Sequence, residues 1–267
     1  MDLLKRELAP VLPDAWKLID EAASGVLKMN LAGRKLVDFK GPFGWGFAAV
    51  NTGRLELFDA QPAKGVSVGL RRVHPLLELR APIRLVQMEL DTVARGATDP
   101  DLDAVVQAAE QVARAEDSAI FNGYERAGIT GIIQASPHAP RKLTGVSEYP
   151  KVILDAKEIL RQAGIEGPYA VALGPRAYDE VFAASPEGYP IAKQIQRQII
   201  DGPIVLAPAI EGGVLVSLRG GDYELTVGQD LSIGYAHHDK DSVELYLTES
   251  FTFRVLEPAA AVPIRHD

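Results

Sequence analysis

Histidines and carboxylates are the residue types of this chain that could support chemistry. The histidines are His74, His138, His237, His238 and His266. None of them forms the His-Glu-x-x-His pattern with which a helix binds zinc. Residues 237–241 (His-His-Asp-Lys-Asp) are the one polar cluster that resembles a set of metal ligands. Because adjacent strand residues point to opposite faces, the sequence favours a solvated hairpin turn here and predicts no metal site.

Other catalytic patterns are also missing from the sequence. The chain has no cysteine, which excludes disulfides and thiol nucleophiles, and it has no Gly-x-Ser-x-Gly elbow. Residues 41–47 hold three glycines and three aromatics, but no Lys-Ser or Lys-Thr follows them, so they are not a phosphate loop. Such a segment is typical of a strand that bends where another backbone approaches. The sequence therefore predicts no catalytic residue.

Composition and charge limit the class of protein further. The 267 residues are 47% hydrophobic and 24% charged, with a formal net charge of -8. No stretch approaches the roughly 18 consecutive apolar residues of a membrane span, and the first residues do not read as a signal peptide. We therefore expect a cytoplasmic protein that does not bind membranes. The acidic balance argues against nucleic acid, because binding to phosphates depends on Lys and Arg.

Two alternating segments near the C-terminus predict a long antiparallel sheet. Apolar residues occupy every second position of residues 243–255, and only Glu249 interrupts that face. Residues 222–227 repeat the pattern and are the predicted partner strand. Thirteen residues is long beside a usual strand of about five or six, so we expect this sheet to frame its neighbours. The tail after Pro258 is expected to be irregular.

Helical periodicity appears twice in the first half of the chain. Residues 13–29 have apolar positions at three- and four-residue spacing after Pro13, which suits a first helical turn. A second helix, of some 25 residues, is predicted to open at Asp91 or at residues 99–101, giving a rod of roughly 35 to 40 Å. Its apolar stripe is predicted to leave four charged residues elsewhere on the helix. These are Glu110, Arg114, Glu116 and Asp117.

The remaining segments predict a hairpin and an α/β unit. Residues 48–70 read as short strands separated by turns at residues 51–53 and 61–65. Too few apolar residues lie there for the hairpin to be stable alone. After Gly128, helices and strands alternate up to residue 218, as in a compact lobe with its own core.

The sequences of several segments resemble those of the encapsulins, which are bacterial shell proteins with a phage-capsid fold. The C-terminal match is residues 228–235 (Gly-Gln-Asp-Leu-Ser-Ile-Gly-Tyr), followed by residues 247–253 (Leu-Thr-Glu-Ser-Phe-Thr-Phe). Further matches, in the family's order and at its spacing, include Gly33-Arg34-Lys35, Gly41-Pro42-Phe43-Gly44-Trp45 and Gly188-Tyr189-Pro190. Several short matches in register are stronger than any one of them.

The resemblance implies an α+β fold of the HK97 phage-capsid type with three parts. The peripheral domain would comprise residues 1–47, 74–130 and 220–267, with the long helix as its spine. Residues 48–73 would be the extended loop that lies on a neighbouring subunit. Residues 131–219 would form the axial domain around the symmetry axes. The chain is most similar to the smaller encapsulins, which close as sixty-subunit icosahedra.

The resemblance also implies two sets of site residues. The first would bind the short C-terminal targeting peptide of a cargo protein, in a groove between the N-terminal helix and the C-terminal sheet. Its residues would be Leu27, Leu31, Arg34, Asp38, Ile233 and Tyr235. Arg34 and Asp38 have the alternative of pairing with each other to hold the local fold. The second set would line the fivefold pore, although a plain connector explains the same loop. Its residues would be Ser185, Pro186, Glu187, Gly188 and Tyr189.

The implied function is packaging, with the chemistry left to the cargo enzyme. Ferritin-like iron oxidases and dye-decolorising peroxidases are both usual cargo for this family, and we favour iron storage. We expect no cofactor in the shell protein itself. Some encapsulins stack a flavin on a Trp after the loop, but residues 86–90 (Val-Gln-Met-Glu-Leu) offer no aromatic here. The rival interpretations are a prophage capsid protein that packages DNA and a soluble enzyme with an unrecognised site.

Overall fold

The computed structural model describes residues 3–59, 62–185 and 188–266. The strands are β1 (Asp38–Lys40), β2 (Ala49–Phe58), β3 (Val68–Pro75), β4 (Leu77–Val86), β5 (Arg141–Leu143), β6 (Tyr169–Leu173), β7 (Ile204–Leu206), β8 (Gly213–Ser217), β9 (Tyr223–Val227), β10 (Ser232–His238), β11 (Ser242–Val255) and β12 (Ala261–His266). The α-helices are α1 (Pro13–Asn30), α2 (Gln87–Ala94), α3 (Asp103–Asn122), α4 (Ile132–Ala135), α5 (Tyr149–Gln162), α6 (Pro175–Ala183) and α7 (Ile191–Gln194), and α7 continues as a π-helical turn over Ile195–Ile199.

Strand β11 organises the first of two five-stranded sheets. Its first part pairs antiparallel with both β4 and β10, and its second part pairs antiparallel with β9. Strand β1 adds to β9 in parallel. The alternation of residues 243–255 is therefore confirmed as one long strand, and residues 222–227 are confirmed as its partner. Phe251 and Phe253 lie on its buried face.

Helices α1 and α3 pack against each other and cover this sheet. Helix α1 begins at Pro13 and buries Trp16, Ile19 and Ala23 on one side, so the predicted helix over residues 13–29 is confirmed. Helix α3 has 20 residues and begins at Asp103, which corresponds to about 30 Å. The predicted length of some 25 residues was too long. The helical residues further upstream form α2 instead, because Gly96 adopts a positive φ and Pro100 follows it.

The second sheet has the order β5-β12-β8-β6-β7. Helices α5, α6 and α7 lie against it and share a continuous apolar core with its strands. All five residues of β6 and all five of β8 are buried. The predicted α/β lobe after Gly128 is confirmed.

Strand β12 corrects the prediction of an irregular C-terminal tail. It pairs antiparallel with β8 and in parallel with β5. Pro263 is tolerated because it lies where β12 pairs with β8 only, before the pairing with β5 begins at Ile264. Residues 261–266 therefore belong to the second sheet by their pairing, although residues 220–267 were assigned to the peripheral domain. The three-part domain division otherwise stays a prediction.

Strands β2 and β3 form a separate two-stranded hairpin. The predicted turn at residues 51–53 is wrong, because the pairing continues past an irregularity between Asn51 and Leu55. The other predicted turn, at residues 61–65, lies at the end of the hairpin, and Gln61 falls outside the described residues. The hairpin leaves large apolar side chains exposed. They include Leu55, Leu57, Phe58, Leu70 and Val73.

Residues 41–47 do not form the predicted strand but do meet another backbone. The N–H of Phe43 donates to the carbonyl of Val227, and that of Gly44 donates to the carbonyl of Gly228. Gly41 has φ 116°, and a Cβ there would lie 2.3 Å from the Val227 carbonyl oxygen. Both observations explain why this position needs glycine.

Candidate functional site

A groove of about 640 Å³ lies between α1 and β10. Leu27 and Leu31 contribute apolar side chains from the helix side, and Ile233 contributes one from the sheet. These three are 8%, 7% and 3% exposed, so they form a floor that is already packed into the core. Leu231 lies in the same lining and is only half-buried. Four of the six predicted groove residues, namely Leu27, Leu31, Arg34 and Ile233, are therefore brought together.

Tyr235 lies beyond the lining of this groove. It follows Ile233 on the same face of β10 and is half-buried against the core of α1 and the sheet. Its N–H donates to the carbonyl of Leu4 at 2.8 Å, and its hydroxyl hydrogen-bonds to a ring nitrogen of His238. The side chain thus supports the end of the groove but does not line it.

Asp38 is not part of the groove either. It begins β1, and its carboxylate accepts a hydrogen bond of 2.6 Å from the N–H of Gly221. It lines a separate depression of about 210 Å³. The alternative that Asp38 pairs with Arg34 is wrong, because Arg34 binds three other carboxylates.

Arg34 connects the groove wall to a buried cluster of charges. Its Nη1 donates to Asp230 at 2.9 Å, and its Nη2 donates to Glu116 at 2.7 Å. The same Nη2 also donates to Glu249. The side chains of Glu116 and Glu249 are completely buried, whereas that of Asp230 is 38% exposed at the groove. Arg34 thereby joins the segment after α1 to α3, β11 and the groove.

Asp117 fixes the start of the same segment from the neighbouring position of α3. Its carboxylate accepts hydrogen bonds from the N–H groups of Ala32 at 2.9 Å and Gly33 at 2.8 Å. A Cβ on Gly33 would collide with Ile120 at 2.5 Å. The chain after α1 is therefore held tightly against α3, which positions Arg34.

Burial governs the protonation of this cluster. Burial, followed by the charge of Glu116, raises the pKa of Glu249 well above its usual value. Burial also raises the pKa of Asp117 to about 7, against the two backbone N–H groups that favour its carboxylate. Burial alone would lower the pKa of Arg34, but hydrogen bonding to Glu116 and the surrounding carboxylates raise it. The guanidinium is thus the permanent positive charge of the cluster.

The sequence reasoning placed two of these residues wrongly. Glu116 and Asp117 were expected to lie away from the apolar stripe of the long helix, yet they are 0% and 1% exposed. The available signal was Glu249, the one residue that interrupts the apolar face of residues 243–255. A carboxylate at a core position requires a buried partner, and Arg34 is that partner.

The predicted pore segment is described only in part. Pro186 and Glu187 lie outside the described residues. Ser185, Gly188 and Tyr189 are exposed, and Tyr189 is 41% accessible. The assignment of these residues to a pore stays a prediction.

The predicted polar turn at residues 237–241 is shorter than expected, because its two histidines belong to β10 and only residues 239–241 connect β10 to β11. His237 and His238 are exposed at the end of β10. Within residues 3–59, 62–185 and 188–266, no group of three or more histidines and carboxylates could hold a metal ion.

At the start of α2, where some encapsulins stack a flavin, Val86 and Met88 are 55% and 68% exposed, and neither offers an aromatic surface. No helix in the described ranges is long and apolar enough to cross a membrane.

The fold is the one that viral capsid proteins share. The solved structure of a virus-like particle from Pyrococcus furiosus superposes with a TM-score of 0.63, covering 92% of this chain and 98% of that one at 16% identity. The capsid of the myovirus phage XM1 superposes with a TM-score of 0.54, covering 86% and 88% at 12% identity. These likenesses confirm the predicted HK97-type fold.

Sequence comparison identifies the family. The family model described as Linocin_M18, encapsulating protein for peroxidase, matches residues 1–252. A type 1 encapsulin shell protein of Rhodospirillum rubrum is 47% identical over 99% of this chain and 97% of its own. That of Mycobacterium tuberculosis is 43% identical over the full length of both. The chain therefore belongs to the encapsulin family, and the resemblance noted in its sequence is confirmed.

Proposed function

We propose that this chain is the protomer of a closed icosahedral shell of sixty subunits that holds a cargo enzyme in the cytoplasm. The cargo role is proposed because of the groove between α1 and β10, which has an apolar floor and the half-buried side chain of Leu231 in its lining. Membership of the encapsulin family supports the shell. The sixty-subunit form rests on the resemblance of the sequence to the smaller encapsulins.

The β2–β3 hairpin supports assembly from copies of the same chain. Its exposed apolar side chains include Leu57 at 69% and Phe58 at 47%. Such a hairpin is not stable alone, so its apolar face needs a surface on another molecule. A head-to-tail contact of this kind, repeated around symmetry axes, builds a closed object when the rotations close.

The groove is suited to an extended peptide with apolar side chains. Burying one Leu or Ile side chain fully contributes about 1.5–3 kcal/mol, and the lining residues Leu231 and Leu247 offer apolar contact beside the packed floor. Three such anchors near the upper value contribute about 8 kcal/mol, the free energy of micromolar binding, before the cost of ordering the peptide. Many copies within one shell would retain a multimeric cargo through avidity.

Leu231→Asp is the sharpest test of the groove. Ile233 is too buried to serve, because an aspartate there would disturb the core itself. Leu231 is half-buried in the lining, so a carboxylate there would oppose apolar anchors without unfolding the protein. We expect shells of unchanged yield that carry at least tenfold less cargo after co-expression, measured by mass spectrometry of purified particles.

Met29→Asp is the matched control for this experiment. Met29 lies at the end of α1 and is 67% exposed, and it does not line the groove. The control should assemble and load cargo as the wild type does. Full loading of Leu231→Asp shells would overturn the cargo role of the groove.

We further propose that the shell protein itself is not an enzyme and binds no flavin, and that iron or haem arrives only with the cargo. The absence of an aromatic side chain from residues 86–90 supports this for flavin. Of the two cargo classes, the matched family description names a peroxidase, whereas our sequence-based preference was a ferritin-like iron oxidase. Haem absorbance of loaded shells supports the peroxidase, and iron accumulation without haem supports the oxidase. Flavin fluorescence from shells without cargo would contradict the proposal.

A further inference from the structure

The first described residues of the chain form a short segment across the end of the groove. We call residues 3–9 the N-terminal strap. It contains one turn of 3₁₀ helix over Arg6–Leu8, which has no buried residue. Leu3 and Leu8 are 56% and 54% exposed. The strap therefore lies on the surface of the protein, and its last residue, Ala9, is half-buried against the apolar core of α1 and the sheet.

Polar contacts hold the strap to both walls of the groove. On the sheet side, the Leu4 carbonyl accepts from the N–H of Tyr235 at 2.8 Å, and the Leu3 carbonyl accepts from the hydroxyl of Tyr246 at 3.1 Å. On the helix side, the Arg6 guanidinium donates to both carboxylate oxygens of Asp20, at 2.7 and 3.2 Å. The same guanidinium lies 3.9 Å from the centre of the Trp16 ring. The strap thus bridges α1 and β10.

The strap borders the space of the proposed peptide and covers a strand edge beside it. Leu4 and Arg6 line the 640 Å³ groove together with Leu27 and Ile233. Strand β10 is an edge strand of the first sheet, and it pairs with β11 on one side. The Leu4 carbonyl takes a hydrogen bond from its other edge, at Tyr235. An extended peptide lying along β10 would meet this contact directly, because exposed strand edges accept added backbone.

The backbone of the strap is strained at its centre. Lys5 has φ 51° and ψ 26°, and it is the one non-glycine residue with positive φ within the described ranges. A lysine side chain is unfavourable in this left-handed conformation. The ion pair between Arg6 and Asp20 is partly solvated, with side chains 32% and 46% exposed, and such pairs contribute little. The strain at Lys5 therefore opposes the hydrogen bonds and the ion pair that hold the strap.

We propose that the N-terminal strap is a displaceable cover that competes with the cargo peptide for the groove. This inference rests on the proposed function of the groove. In empty shells the strap protects the edge of β10 and the apolar lining, and cargo binding releases it. A substitution that loosens the strap should therefore strengthen peptide binding, and one that relaxes its strain should weaken it.

Fluorescence anisotropy tests the competition, because loosening the strap should lower the Kd of the peptide and tightening the strap should raise it. The probe is a labelled synthetic peptide of the C-terminal segment of the protein that co-purifies with wild-type shells, present while cargo-free shells are dissociated and reassembled so that it reaches the inner wall. Arg6→Ala and Asp20→Asn each remove the same ion pair and should both lower the Kd by about fivefold, the upper range for an exposed pair. Agreement between the two excludes a direct contact of Arg6 with the peptide as the cause.

Lys5→Gly should change the Kd in the other direction. Glycine adopts positive φ without strain, so the strap would be held more firmly. The Kd of the peptide should therefore rise by about threefold. Lys5→Gln is the matched control, because it removes the same charge but keeps the backbone preference, and it should bind as the wild type does. Hydrogen exchange provides a second readout, since the amides of Leu8 and Ala9, which donate within the strap to the carbonyls of Lys5 and Arg6, should exchange faster in loaded shells than in empty ones.

The outcomes separate the two proposals. Equal Kd values in wild type and all four variants, with exchange of the Leu8 and Ala9 amides unchanged by cargo, would overturn the strap and leave the groove intact. Weaker binding by both Arg6→Ala and Asp20→Asn would also overturn it. Absence of binding by every protein, wild type included, would overturn the proposed function of the groove and the strap with it.

Discussion

Two apolar cores lie along the same helix and the same strand, and a layer of charge separates them. The first core joins α1 and α2 to β4, β10 and the beginning of both α3 and β11. The second joins the other sheet and its helices to the remaining parts of α3 and β11. Between them, Glu116 and Asp117 of α3 and Glu249 of β11 occupy the buried face.

The comparison shows that the two cores are stabilised by different means. The second core is built from apolar side chains such as Ile153, Leu160 and Leu173, which are fully buried. The first core ends at the charged layer, where Arg34 neutralises carboxylates from two elements and holds one wall of the groove. Apolar packing thus sets the shape of the second lobe, whereas ionic contacts position the candidate binding site.

Arg34→Met should give the largest effect. It leaves Glu116, Glu249 and Asp230 without their common positive partner, and removal of one member of a buried ion pair costs about 3–5 kcal/mol. Guanidinium unfolding of purified shells should show this loss. Lys35→Met, at an exposed neighbouring position, is the control and should be close to the wild type. A stable Arg34→Met shell with intact cargo loading would mean that the charged layer does not position the groove.

Leu173→Ala should destabilise the second core by on the order of 3 kcal/mol, because a buried leucine leaves a cavity. Leu206 pairs with it across β6 and β7 but is 36% exposed, so Leu206→Ala should cost much less. The same unfolding experiment measures both. Peptide affinity of assembled Leu173→Ala shells should be unchanged, since the groove belongs to the first core; a loss of affinity would show that the two cores are not independent.

Glu249→Gln should change the pH dependence of stability. The folded-state pKa values of Glu249 and Asp117 are both raised, so their contribution to stability is full below their unfolded values. It is lost as the pH rises from about 4 through the folded values, by up to about 1.4 kcal/mol per pH unit for each group. The glutamine variant loses one of the two contributions.

The measurement is the difference in unfolding free energy between Glu249→Gln and wild type, followed from about pH 5 to about pH 8. Groups outside the cluster cancel in this difference, which should increase with pH in favour of the variant. A difference that is constant or that decreases with pH would show that Glu249 is ionised in the folded protein throughout this range.

The sequence predicted the elements whose signals are local. The periodicity of residues 13–29 and 243–255 predicted α1 and β11 closely, and the α/β lobe followed from alternating patterns after Gly128. Strand β12 could not be predicted in this way, because its pairing with β8 and β5 is non-local and Pro263 argues against a strand.

The candidate site was predicted in part, for a similar reason. Of the six residues that the resemblance implied, Leu27, Leu31, Arg34 and Ile233 lie in the lining of the groove, whereas Asp38 and Tyr235 do not; their role in binding cargo stays a prediction. Burial of Glu116 and Asp117 depends on their meeting Arg34 and the backbone after α1, which are more than 80 positions away in the chain. A helical pattern cannot report such a partner, so charged residues were placed on the surface.

Electron microscopy of the protein expressed with and without its cargo tests the central claim most directly. The account predicts hollow icosahedral particles in both cases, with α1 and the groove on the inner wall. Density for an extended peptide should appear along β10 only in the loaded particles, with the N-terminal strap displaced. Small open oligomers, or closed particles whose groove faces outward or stays empty when cargo is inside, would contradict it.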